Sequence, residues 1–156
     1  AGIMALWLGI MGVASECGLV HKVARALRPV MHWLFPEVPP NHPAMGAMIL
    51  NISANMLGLA NAATPFGLQA MKELQKLNTH VHTASNAMCT FLAINTSSVQ
   101  LIPATAMALL AANGSVQPSS IILSSLIATS ISTIVGVVSV KQFAKLPCYQ
   151  IKPEDQ

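Results

Sequence analysis

Apolar residues run along this chain in helix-length blocks, separated by short polar or proline-rich stretches. Ala1 to about Val20 is apolar with one charge, Glu16, and is long enough to cross a hydrocarbon core that needs about 20 residues. In "VHKVARALRPVMHWL" the period changes. His21, Arg25, Arg28 and His32 are spaced 4, 3 and 4 and share one helical face, while Val20, Val23, Leu27, Val30 and Leu34 are spaced 3, 4, 3 and 4 on another. That pattern predicts an amphipathic helix lying in the membrane interface, with its basic side in the headgroups and Trp33 near the boundary. Pro29 is expected to bend or split it, and "FPEVPPNHP" ends helix altogether.

The next block, Ala44 to Met71, would be about 42 Å long as one helix at 1.5 Å per residue. It also carries Asn51, Asn55, Gly58, Asn61, Thr64, Pro65 and Gly67. Pro65 cannot donate to the carbonyl of Asn61 and its ring crowds that oxygen. The stretch "GLANAATPFG" is therefore expected to break the block into two arms. After the polar loop "KELQKLNTHVHT" comes the block Ala84 to Ala112, whose centre holds Asn95, Thr96, Ser97, Ser98 and Gln100, with Pro103 beyond. Short polar side chains compete with helical hydrogen bonding and Pro103 frees the carbonyl of Val99, so this block too is expected to be broken. The uncharged turn "NGSVQPSS" leads into a last block, about Ser119 to Val140. Ser120, Ser124, Ala128, Ser132 and Gly136 recur there at four-residue spacing, a small-residue stripe that lets a partner helix, or a second copy of the chain, approach closely. Ser125, Thr129 and Thr133 form a neighbouring stripe whose hydroxyls can bond carbonyls of their own helix.

Composition fixes the class. Of 156 residues, 53% are hydrophobic and 8% charged, against about 25% charged in an ordinary soluble domain. The fold class is an all-α membrane protein, with transmembrane helices, an interfacial amphipathic helix, a re-entrant helical hairpin and a broken helix. Charge gives the topology. If Ala44 to Met71 dips in and returns while the other long blocks cross, Lys22, Arg25, Arg28, Lys72, Lys76, Lys141, Lys145 and Lys152 all lie on one side. If it crosses, they divide three against five. The positive-inside rule selects the hairpin, entered from the cytoplasmic side. Residues 1–140 then form the transmembrane domain and 141–156 a cytoplasmic polar tail. The opening inside an apolar run suggests a missing upstream helix.

Unwound backbone at membrane depth survives only where protein or a water-filled cavity covers it, and broken helices near the midplane are where secondary transporters bind solutes and ions. The candidate substrate-binding residues are accordingly Asn51, Asn55, Asn61, Thr64, Asn95, Thr96, Ser98 and Gln100. The bland reading is that these groups only join helices. "FPEVPPNHPAMGAMILNISANMLGLANAATPFGLQAMKELQKLN" and "TASNAMCTFLAINTSSVQLIPATAMALLAANGS" resemble the spore maturation protein A group of the nucleoside-recognition (Gate) domain family. The resemblance implies a multi-pass protein of the bacterial cytoplasmic (inner) membrane. It further implies a role in late sporulation and spore core dehydration, beside a spore maturation protein B-like membrane partner. Members usually begin with a further hydrophobic segment. The order of elements is also similar, more distantly, to that of concentrative nucleoside transporters, whose broken helix contacts ribose through an Asn and a Ser. "AINTSS" matches that stretch at Asn95 and Ser98, whereas Ile52 follows Asn51 where their hairpin has a Glu.

Other chemistry adds little. Cys17, Cys89 and Cys148 are odd in number and far apart, which predicts free thiols. His80 and His82 lack a third ligand for a metal site, and Glu16 is expected to snorkel or to pair with Lys22 or Arg25. Basic residues are too sparse for nucleic acid, no catalytic set has a suitable spacing, and no cofactor is implied. Two functions follow from different classes: a permeation or gating unit for a small polar solute or ion, or a non-transporting membrane scaffold for sporulation. The topology has a direct check. In a background without the native cysteines, a cysteine at Asn113 or Gln117 should react with an impermeant thiol reagent added outside, and one at Gln75 or Gln142 should not. Labelling at Gln75 from outside would sink the hairpin.

Overall fold

The computed structural model describes residues 18–80 and 82–146, and every regular element among them is helical. The first apolar block up to Cys17, with Glu16, lies outside the described residues, as do Cys148 and the end of the polar tail. The helices are α1 (Leu19–Leu34), α2 (Pro43–Met56), α3 (Ala60–Leu77), α4 (Asn86–Ser97), α5 (Ala104–Ala112) and α6 (Ile121–Phe143), with one turn of 3-10 helix at Pro118–Ser120.

The block Ala44 to Met71 does form two arms, α2 and α3, and they pack against each other more extensively than any other pair. The break comes at Leu57–Leu59, at the front of the expected stretch, and α3 runs on through Pro65. The difference has a physical cause. Gly58 takes φ +74°, the left-handed conformation that closes a helix. The amide of Leu59 donates to the carbonyl of Ala54 and that of Gly58 to Asn55, so two carbonyls of the last turn of α2 are satisfied in the turn itself. Pro65 removes one helical bond near the start of an 18-residue helix, a loss that α3 absorbs. Pro29 likewise lies inside an unbroken α1. At its other end α2 starts on His42, whose Nδ1 accepts from the Ala44 amide at 3.2 Å, with Pro43 at the first helical position.

The core lies around α2, which is buried on nearly every side. Met48, Phe91 and Leu74 are among its fully enclosed side chains. Helix α1 contributes Ala24 and Met31, with Leu27 and Leu34 partly covered, while Val30 and Trp33 stay exposed. The buried stripe is thus rotated by about one residue from Val20–Val23–Leu27–Val30–Leu34, and the apolar flank it leaves open suits a helix at an interface.

The block Ala84 to Ala112 breaks where the polar cluster and Pro103 lie, between the end of α4 at Ser97 and the start of α5 at Ala104. The two breaks meet. The carbonyl of Met56 accepts the amides of Leu101 at 2.8 Å and Ile102 at 3.3 Å. Helix α6 serves the other side of the gap: Thr133 Oγ1 donates to the Ser97 carbonyl at 2.7 Å, and Thr129 Oγ1 accepts the Gln100 amide at 3.2 Å. Thr129 also bonds the Ser125 carbonyl of its own helix, as expected of that stripe. Of the small-residue stripe on α6, Gly136 faces Ser97, whereas Ser124, Ala128 and Ser132 are exposed. Residues Pro118–Phe143 are long and apolar enough to cross a membrane, and none of their most apolar window is buried.

A Cβ at Gly58 would stand 2.6 Å from the Ile102 carbonyl oxygen and 2.9 Å from Ala104 Cβ, whereas one at Gly46 would meet nothing within 4 Å. Gly58→Ala should therefore lower stability by about 2 kcal/mol or more, and Gly46→Ala should raise it by up to about 1 kcal/mol. Thermal unfolding of the two variants in one detergent compares them directly.

Candidate functional site

Asn51 and Asn55 are four residues apart and so share a face of α2; Asn95 comes from the last turn of α4, just before its break. The three amides form a chain. Asn55 Nδ2 donates to Asn95 Oδ1 at 2.9 Å and, more weakly, to Asn51 Oδ1 at 3.5 Å. Asn51 Nδ2 donates to the Ala63 carbonyl on α3 at 2.8 Å, and Asn95 Nδ2 to the Phe91 carbonyl at 3.1 Å. Three helices are tied through one polar chain, in which Asn51 is 3% exposed. Partners are obligatory there, because an unpaired amide buried in an apolar surrounding costs about 1–3 kcal/mol.

An open cavity of about 370 Å³ lies along this chain, lined by Asn51, Asn55, Thr64 and Asn95 with Gly67 and Phe91 among its walls. No charged side chain is among its described lining residues. Among the described residues, both hydrogens of the Asn55 amide are engaged, whereas Asn51 and Asn95 each have one engaged hydrogen on Nδ2. An amide has two donor hydrogens and an accepting oxygen, so the wall keeps donor capacity while already holding its own shape.

Four of the eight candidate residues, Asn51, Asn55, Thr64 and Asn95, are thus brought together. Three others stand elsewhere. Thr96 is exposed and its hydroxyl bonds the Leu92 carbonyl of its own helix. Ser98 ends α4, and Gln100 uses its backbone amide on Thr129. Asn61 is the second residue of α3, and its side chain is outside the description. The break redirects the chain after Ser97, so residues adjacent in "NTSSVQ" separate onto different surfaces.

Gly67 is the wall residue that the polar pattern does not single out. A Cβ there would come within 2.8 Å of Asn51 Nδ2, so the bare α-carbon leaves room for that amide against α3. A signal for it exists in the sequence: Ala63, Gly67 and Ala70 are small residues at spacings of 4 and 3, the signature of close helix approach, and Ala63 and Ala70 are buried against α2.

The profile of the family described as "Gate: Nucleoside recognition" matches residues 1–143. The chain belongs to the nucleoside-recognition (Gate) family. It is also 44% identical over 141 residues to spore maturation protein A of Bacillus subtilis (strain 168), an alignment that covers 90% of this chain and 72% of that protein. No solved structure matches it. In this Gate-family chain the stretch that resembled the transporters' broken helix, "AINTSS", splits at the break: Asn95 faces the cavity and Ser98 stands at the helix end.

The Asn55–Asn95 bond can be weighed by a double-mutant cycle. Asn55→Ala, Asn95→Ala and the double variant, unfolded in detergent, should give a coupling of about 1 kcal/mol. Additive losses would mean that the two amides act separately.

Proposed function

We propose that this Gate-family protein forms one half of a permeation or gating unit for a small polar solute or ion. It would work in the bacterial inner membrane, as a multi-pass protein beside a spore maturation protein B-like partner, in late sporulation and spore core dehydration. The observation that carries the reading is the cavity lined by Asn51, Asn55, Thr64 and Asn95, at the junction of a helical hairpin and a broken helix. Its described lining is uncharged, with three amides and Thr64 set among apolar side chains that include Leu68, Met71 and Leu92. Such a wall suits a neutral hydrogen-bonding solute, or a small cation that takes amide oxygens as ligands. The arm lengths support the re-entrant arrangement. At 1.5 Å per residue, the hairpin arms α2 and α3 reach about 21 Å and about 27 Å, and α4 about 18 Å, against a hydrocarbon core of about 30 Å. Each would end inside the membrane, where the polar chain lies.

One observation favours the scaffold reading: Asn55 and Asn95 bond each other directly, so these amides also hold α2 to α4. The two functions separate in one experiment. In a sporulating strain lacking its own spore maturation protein A, Asn95→Ala should reduce core dehydration at least tenfold, an effect of more than about 1.4 kcal/mol on the limiting step. Membrane abundance and co-purification with the B-type partner should stay near wild type. Asn95→Leu, which also fills the cavity, should be at least as severe. Loss of partner co-purification in step with activity would favour the scaffold, and full activity of both variants would remove the cavity from the mechanism.

A further inference from the structure

A second cavity, of about 440 Å³, lies between α1 and α2, on a surface separate from the amide chain. Its described lining joins two unlike halves: Arg25 and Arg28 of α1 with Ala24 between the helices on one side, and Gly46, Ile49 and Leu50 of α2 on the other. The arginines are one helical turn apart and both are exposed. Among the described residues neither has a carboxylate partner; the ion pair described there joins Lys76 to Glu73, away from this face. Guanidinium groups one turn apart can grip one phosphate from two sides, each through paired N–H donors. The opposite wall is apolar, and a Cβ at Gly46 would meet nothing within 4 Å, so the wall is indented there.

We infer that this cavity seats one anionic phospholipid, with its phosphate on Arg25 and Arg28 and an acyl chain along Gly46, Ile49 and Leu50. Charge complementarity selects the headgroup, and the apolar wall selects a lipid over a soluble phosphate, which would use only half of the site. The open apolar flank of α1 at Val30 and Trp33 places this helix at a lipid boundary, and basic residues near a bilayer attract its anionic lipids. The seat lies against α2, so an occupied seat braces the arm that carries Asn51 and Asn55. This inference stands on α1 and α2 and does not depend on what passes the amide cavity.

The test uses the full chain in a non-ionic detergent, with bound lipid counted by native mass spectrometry and thermal unfolding followed in parallel. Dioleoyl phosphatidylglycerol should remain bound and raise the unfolding temperature more than dioleoyl phosphatidylcholine does. Inorganic phosphate at the same concentration should do neither. The double variant Arg25→Gln/Arg28→Gln should bind phosphatidylglycerol at least tenfold more weakly, the loss expected when charge-assisted hydrogen bonds to a phosphate are removed. Gly46→Leu fills the apolar wall, keeps both charges and suits a helix, so it should also lose lipid while unfolding at or above the wild-type temperature without lipid. If Gly46→Leu binds phosphatidylglycerol as the wild type does, the acyl half of the proposal is wrong. Protection by inorganic phosphate equal to that by lipid would make this a free-anion site. Undiminished binding by the double arginine variant would overturn the site altogether.

Discussion

Two interrupted helical blocks exist side by side in this chain because each satisfies the backbone of the other. The end of α2 offers the Met56 carbonyl, and the gap between α4 and α5 offers the amides of Leu101 and Ile102. Either break alone would leave polar backbone groups in an apolar surrounding at several kcal/mol each. Joined, they form a small patch of irregular structure with its hydrogen bonds made. The contact is close because Gly58 has no side chain, and a Cβ at that position would overlap the Ile102 carbonyl. Glycine is therefore required twice over at this point, for its backbone conformation and for the space it leaves.

The polar side chains follow from that junction. With the tips of the hairpin and the broken helix held together, Asn55 on α2 and Asn95 on α4 come within hydrogen-bonding distance, and Asn51 extends the chain to α3. Helix α6 closes the assembly from outside through Thr129 and Thr133, which bond the gap, and Gly136, which lets α6 approach Ser97. Its remaining small residues, Ser124, Ala128 and Ser132, face outward beside Ile127 and Ile131. A face of that kind suits a neighbouring helix.

Beside Asn51, this Gate-family chain departs from the pattern of the distantly similar transporters. Asn95 faces the cavity, but Ile52 follows Asn51, and it is a buried core residue. The acidic ribose contact implied by the distant transporters therefore has no counterpart at that position. The amide chain gives a site of neutral character, in which three amides and Thr64 stand among apolar residues of α3 and α4.

The sequence by itself determined the helical class, the three apolar blocks that follow Pro43, the amphipathic stretch that contains Trp33 and the existence of both breaks. These are local properties: low charge, hydrophobic period, and Gly, Pro and Asn in apolar runs act over a few residues. The candidate list was half legible for the same reason. Asn51 and Asn55 share a face by spacing alone, but the chain turns after Ser97, and local polarity cannot tell that Asn95 points to the cavity while Thr96 points away. Only the tertiary structure decided where the hairpin turns. Gly58 fits against Ile102, a residue 44 positions later, and no local rule weighs that contact against Pro65. It also decided that the hydroxyls of α6, readable as intrahelical, serve the gap between α4 and α5, and that Gly67 makes room for Asn51. Each of these depends on a surface formed by a distant part of the chain, and pairings of that kind exist only once the helices have packed.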